Sequence, residues 1–410
     1  MTEALIIDAC RTPRGIGKPG KGALAGLHPQ QLGAAVLKAL AERTGINTDD
    51  VDDILWGTST QRGTQGGDLG RMAALDAGYS QRSSGLTLDR FCGSGITTVN
   101  LAAASIMSGM EDLVVAGGTE MMSMTATLRD GLPFMDSGNL RLRASHPQSH
   151  QGVCADAIAT LEGISRSDLD ALALLSQQRA AVAIAEHRFA KSLVPVHGLD
   201  GQLLLDREEF PRPQTTAEGL AGLKPAFTQL ADVALDERGT TYRSLILAKY
   251  PDLDIHFVHH AGNSSGVVDG AAALLLASPS YAAQHGLKAR ARVVAMANMG
   301  DSPTLMLNAP VPAARKVLAK AGLTVDDIDL WEINEAFAVV AEKFMRDLKL
   351  DRSKVNVNGG AMALGHPIGA TGAILIGTLL DELERRDLKR GLVTMCAAGG
   401  MAPAIIIERL

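Results

Sequence analysis

Aromatic side chains are scarce in this sequence of 410 residues, 3% in all, and so are cysteines, of which there are four. Few aromatics leave an aliphatic interior as the means of holding so long a chain together. The cysteines, Cys10, Cys92, Cys154 and Cys396, lie far apart with no short paired spacing. That excludes a disulfide framework and a zinc ribbon and fits a reducing compartment. No basic block exceeds a few residues and the formal charge is -6. Neither nucleic acid nor an anionic membrane is an expected partner, while a small phosphate-bearing ligand stays open. No uncharged apolar run reaches membrane-spanning length, and the strand-like stretch Ala4 to Cys10 begins at once, leaving no room for a signal peptide. A cytoplasmic protein is expected.

What is present is an enzyme-sized globular composition. The chain is 46% hydrophobic and 20% charged, with 43 glycines, enough for about two or three domain-sized units. Cys92 stands in Arg90-Phe91-Cys92-Gly93-Ser94-Gly95, directly before the apolar run Ile96 to Met107, which reads as a buried helix. A thiol at the first turn of a helix faces unpaired N–H groups and the positive end of the dipole, so its thiolate is expected to be favoured. The alternative for this segment alone is a cysteine that merely packs as a small hydrophobe.

The chain repeats itself. Asp49-Asp50-Val51-Asp52-Asp53-Ile54-Leu55-Trp56 is echoed by Asp326-Asp327-Ile328-Asp329-Leu330-Trp331 at an offset of 277. Cys92, ahead of its helix, pairs with His366 ahead of the Gly/Ala-rich helix Gly369 to Leu380, at an offset of 274. The strand Leu113 to Gly118 pairs with Leu392 to Ala397. Three features in constant order at nearly constant spacing predict two copies of one α/β unit, each strand, helix, strand, helix, strand. The expected division is an N-terminal half over residues 1–123 completed by 267–286, a loop-rich insert over 124–266 that forms the substrate-binding region, and a C-terminal half over 287–410. One good helix is predicted in the insert, Ser167 to His187, capped by Ser165 or Ser167.

Packing of the halves about a pseudo-twofold axis would point both helix mouths into one cavity, where Cys92, His366 and Cys396 meet. Glycines crowd around His366 from Gly359 to Gly372, which lets backbone approach a ligand closely. Cys396 precedes Ala397-Ala398-Gly399-Gly400, whose successive N–H groups suit an oxyanion.

With these motifs together the sequence resembles the thiolase family, which condenses or cleaves 3-oxoacyl thioesters of coenzyme A. The resemblance rests on Cys92-Gly93-Ser94-Gly95, Asn334-Glu335-Ala336-Phe337-Ala338, Gly365-His366-Pro367-Ile368-Gly369-Ala370-Thr371-Gly372, and Cys396 with its glycines, and covers essentially the whole chain. It implies an α/β thiolase fold: duplicated five-stranded halves in a layered αβαβα arrangement with an inserted loop domain. It also implies that Cys92 forms an acyl-enzyme with His366 taking the thiol proton, and that Cys396 moves the proton of the α-carbon. Asn334 would hold a water that shares one oxyanion hole with His366. The N–H groups of Cys92 and Ala398 would form the other, alanine standing where the family usually has glycine.

His150 falls where short-chain members have a histidine followed by methionine; here Gln151 follows it. Lys224 and Ser265 are the expected phosphate and pantetheine contacts. Thr228 to His260 lengthens the coenzyme loop, where family members have a handful of residues, and either reshapes the acyl pocket or extends a subunit contact. His259 and His260 lack a matching carboxylate or cysteine spacing, so no metal is expected. No cofactor is expected beyond acyl-coenzyme A and coenzyme A as substrates, and the family implies a homodimer or homotetramer. Rival readings are a ketoacyl-synthase-type condensing enzyme, which uses two histidines where this chain has His366 and Cys396, an acyl-coenzyme A carrier without chemistry, and a structural oligomer with inert thiols.

Overall fold

The computed structural model of this chain describes residues 3–125, 127–128 and 133–410, which include every candidate site residue. Nine strands organise it: β1 (Leu5–Arg11), β2 (Asp53–Gly57), β3 (Ser84–Leu88), β4 (Leu113–Met121), β5 (Val268–Ala277), β6 (Ala291–Gly300), β7 (Leu330–Ile333), β8 (Arg390–Thr394) and β9 (Met401–Arg409). They form one sheet in the order β7-β8-β9-β6-β1-β5-β4-β2-β3. Every residue of β4 and of β5 is buried, as expected of continuous apolar strands covered on both faces.

The sheet order displays the duplication. Outward from the centre, β1-β5-β4-β2-β3 matches β6-β9-β8-β7, with the same alternation of two antiparallel contacts followed by parallel ones. The position equivalent to β3 is reduced to a single parallel bridge between Trp331 and Val355. The halves join where β1 meets β6, through only Leu5–Arg292 and Ile6–Ala291. Arg290 fastens the seam: its guanidinium donates to Asp8 at 2.9 Å, to Asp381 at 2.6 Å and to Glu384 at 2.8 Å.

Helices α1 (Pro29–Thr44) and α2 (Leu69–Asp76) cover the outer face of the first half. Helix α3 (Ser94–Ser108) lies between the half-sheets. In the insert, α4 (Gln151–Leu161) and α5 (Arg166–Ala185) follow; α6 (Pro310–Ala321) and α7 (Ala338–Leu348) cover the second half. Helix α8 (Ile368–Arg385) returns to the middle beside α3. The repeated tryptophans take equivalent places, Trp56 in the outer core of the first half and Trp331 in that of the second. The insert is more helical than its sequence suggests. Ser165 caps α5 as expected, but α4 was hidden because Gly152 to Ala159 are all buried and leave no amphipathic stripe.

Glycines let the two central helices touch through their backbones. A Cβ on Gly372 would lie 2.1 Å from the Ile96 nitrogen, and one on Gly95 would lie 2.9 Å from the Gly372 nitrogen. The carbonyl of Gly369 likewise sits where a Cβ on Gly118 would stand, at 2.2 Å. Gly372→Ala must therefore force α3 and α8 apart. It should cost about 1–3 kcal/mol in thermal denaturation, whereas Gly26→Ala, whose added methyl meets nothing within 4 Å, should stay close to wild type.

Candidate active site

Cys92 sits in a tight turn rather than in the helix itself. Phe91 has φ 48°, in the left-handed region that non-glycine residues seldom adopt. The turn is held by Gly93 N–H to Arg90 O at 3.0 Å, Ser94 N–H to Phe91 O at 3.1 Å and the Ser94 hydroxyl to Phe91 O at 2.7 Å. This aims the half-buried thiol into a cavity of about 240 Å³, lined also by Ser59, His150, Gln151, Met306, Ile368 and Ala398. The N–H groups of Cys92 and Ala398 donate to no oxygen among the described residues. Ala398 has a negative φ, and the left-handed conformations fall on Gly399 and Gly400, so alanine supplies this N–H without strain.

His366 is buried at the mouth of α8. Its Nδ1 lies 2.7 Å from the hydroxyl of Thr371, which itself donates to Pro367 O at 3.0 Å. The hydroxyl must therefore accept, which assigns the imidazole proton to Nδ1 and leaves a lone pair on Nε2. Asn334 Nδ2 faces that Nε2 at 3.4 Å, and Asn334 Oδ1 is buried with no partner. Burial lowers His366 to about 4, so the ring is neutral near pH 7.

The thiol differs from expectation. Burial pushes Cys92 up to about 12, with Glu120 and Asp89 adding to the effect. Loss of water is the largest cause, so the resting group is a thiol. Cys396 is raised further by burial and by its neighbour Cys92.

Glu120 escaped the sequence reading. Its carboxylate accepts from Ser59 N–H at 2.8 Å, the Gln65 amide at 2.9 Å and Gly369 N–H at 2.9 Å. It thus joins the end of β4 in one half to the first turn of α8 in the other, two residues beyond Pro367. Only the Thr119-Glu120 ending of an apolar strand hinted at it.

The expected coenzyme contacts behave unequally. His150 lines the cavity and caps α4, its Nδ1 accepting from Gly152 N–H at 3.1 Å. Ser265 is half-buried and spends its N–H on Ala336 O at 2.9 Å, beside a Ser264 hydroxyl that is buried without a partner. Lys224 is exposed and lines neither this cavity nor the next. A second cavity of about 210 Å³, missed in the sequence, is lined by Arg212, Thr215, Thr216, Leu220, Ala261 and Gly262 among others. His259 and His260 pin the insert, bonding Asp156 at 2.7 Å and Asp170 at 2.8 Å.

The family models described as "Thiolase, N-terminal domain" and "Thiolase, C-terminal domain" match residues 4–234 and 287–409. The chain belongs to the thiolase family. This thiolase is 40% identical to an acetyl-CoA acetyltransferase of Chromobacterium violaceum, over 99% of this chain and 100% of the relative. It is 39% identical to the steroid 3-ketoacyl-CoA thiolase FadA6 of Mycobacterium tuberculosis, over 100% of this chain and 95% of that one. With the beta-ketoadipyl-CoA thiolase of Pseudomonas putida it shares 40% identity over the full length of both. The crystal structure of the Bacillus anthracis acetyl-CoA acetyltransferase superposes with a TM-score of 0.83 at 34% identity, covering 100% of this thiolase and 99% of that chain. The thiolase fold is thereby established, and the chain is an acyltransferase. Among the described residues no helix is long and apolar enough to cross a membrane.

Two outcomes follow for the thiol of this thiolase. Alkylation of Cys92 by iodoacetamide, read by mass spectrometry, should keep accelerating from about pH 7 to about pH 10, because only the thiolate reacts; a plateau at neutral pH would contradict the raised thiol. In Glu120→Gln the nearby negative charge is gone, so alkylation at a fixed pH should be several-fold faster than in wild type.

Proposed function

We propose that this thiolase catalyses the reversible Claisen condensation of an acyl-coenzyme A with acetyl-coenzyme A, or thiolysis of a 3-oxoacyl-coenzyme A, through a Cys92 acyl-enzyme. The observation that carries the reading is a neutral imidazole whose lone pair lies on Nε2, met only by the Asn334 amide at a long 3.4 Å among the described residues, at the mouth of the helix beside the one that Cys92 precedes. In the condensation direction Cys92 gives its proton to His366 Nε2 as its sulfur attacks the thioester carbonyl. The carbonyl oxygen takes negative charge between the N–H groups of Cys92 and Ala398. Collapse expels coenzyme A thiolate, which takes the Cys396 proton and leaves as the thiol, while His366 keeps on Nε2 the proton it took from Cys92.

Cys396, now a thiolate, takes a proton from the methyl carbon of acetyl-coenzyme A. Its enolate oxygen is stabilised by His366 and by a water held on Asn334 Oδ1, the buried acceptor without a protein partner. The carbanion attacks the acyl-enzyme carbonyl, forms the carbon–carbon bond and releases Cys92 sulfur, which regains its proton from His366 Nε2. Thiolysis is the same path reversed, so direction follows concentrations.

The second cavity suits the nucleotide end of coenzyme A better than Lys224 does, with the Arg212 guanidinium offered to phosphate and the Ala261–Ser265 turn leading toward Ser265 and pantetheine. We retain the division at residues 123, 266 and 286, a homodimer or homotetramer, and the absence of any cofactor other than the thioesters as parts of this reading. Exposed Leu86 on the edge strand β3 favours an assembly.

Cys92→Ala should abolish both acetyl transfer and the covalent adduct formed with labelled acetyl-coenzyme A. Cys396→Ala should still form the adduct while condensation falls about a hundredfold or more; rapid condensation in that variant would remove Cys396 from its role.

A further inference from the structure

The lengthened coenzyme loop carries a short helix, Tyr242–Leu247, begun by Thr241, whose side chain and that of Ser244 cap it reciprocally. Leu245 and Ile246 are buried, and Arg243 grips Asp232 through bonds of 2.7 and 2.9 Å. These anchors hold Tyr242 against the start of α4. Its carbonyl accepts from the Ser149 hydroxyl at 2.7 Å, its ring centre lies 5.4 Å from that of His150, and its own hydroxyl donates to Pro133 O at 3.1 Å. Three attachments to two other segments make one side chain a fixed part of the cavity that holds Cys92.

Tyr242 lines that cavity and not the second one, which lies on the Leu220 and Gly262 side. Among its described lining residues no Asp, Glu, Lys or Arg occurs. The amides of Gln148 and Gln151 make no hydrogen bond among the described residues and offer neutral donors and acceptors. Among these described residues a carboxylate at the far end of an acyl chain would meet no counter-charge.

We propose that Tyr242 is a specificity-determining residue which limits the acyl group carried on Cys92, and that the substrates are 3-oxoacyl thioesters with a compact, uncharged acyl part. This rests on the thiolase reading of the cavity. The extra segment then serves the pocket rather than a subunit contact, for its helix turns its apolar residues inward.

The test is thiolysis by the full-length protein, with coenzyme A and straight-chain 3-oxoacyl-coenzyme A substrates of four to ten carbons, together with one bearing a terminal carboxylate. Wild type should prefer the shorter neutral substrates and turn over the carboxylate poorly. In Tyr242→Ala the ratio of kcat/KM for the eight-carbon over the four-carbon substrate should rise about tenfold or more. Tyr242→Trp, which keeps a ring on the same helix, should lower that ratio, so loss of folding in one variant leaves the other decisive. A ratio that stays within twofold of wild type in the folded variants overturns the role of Tyr242, and rapid turnover of the carboxylate substrate overturns the uncharged class. Wild-type inactivity on every 3-oxoacyl thioester, with no adduct on Cys92, overturns the thiolase reading and the inference with it.

Discussion

Everything in this molecule turns on the backbone contact between the two central helices. A Cβ at Gly95 or Gly372 would lie too close to the facing backbone for α3 and α8 to keep their spacing, and one at Gly118 would displace the first turn of α8 from β4. Because each helix is preceded by a reactive residue, this one steric condition sets how near Cys92 and His366 come. The large aliphatic cores supply most of the favourable free energy, but they would do so for many helix spacings. Specific geometry comes from the absence of a methyl group.

A dry interior brings a second condition. The site is assembled from groups that are neutral at rest: a thiol raised by burial, an imidazole lowered by it, and a second thiol raised further. In the proposed mechanism charge first arises when a proton moves from the Cys92 sulfur to Nε2 as the substrate carbonyl is attacked. The oxyanion that forms at that moment meets N–H groups that were waiting for it, so little reorganisation is needed. Glu120 is the nearby exception, and its acceptance of N–H groups from Ser59 and Gly369 keeps it committed to holding the halves together.

The duplication was legible because identical physical tasks leave identical residues. The Asp-Asp turn before Trp56 and Trp331 recurs since each opens a strand that tucks an indole under an outer helix layer. Cys92, His366 and Cys396 stood out as candidates through their glycine settings. Other features were hidden for particular reasons. Helix α4 is buried all round, so no periodic stripe marks it. The rise of the Cys92 thiol depends on a desolvation that local sequence does not record, and it reverses the effect expected of the helix dipole. Glu120 finds partners at Ser59, Gln65 and Gly369, positions scattered on both sides of it in sequence. Lys224 shows the opposite failure, a plausible residue type in a plausible motif whose side chain faces solvent.

The arrangement of strands also governs how the chain can be made. β1 leaves the ribosome long before its neighbours β5 and β6, which begin at residues 268 and 291, and before β9, which completes the second half-sheet and ends at residue 409. Until those late segments emerge, both edges of β1 are open and must be kept from other chains. Such long-range pairing makes for slow, aggregation-exposed folding. It also means that a product truncated before residue 366 holds the proposed nucleophile Cys92 without His366 or Cys396.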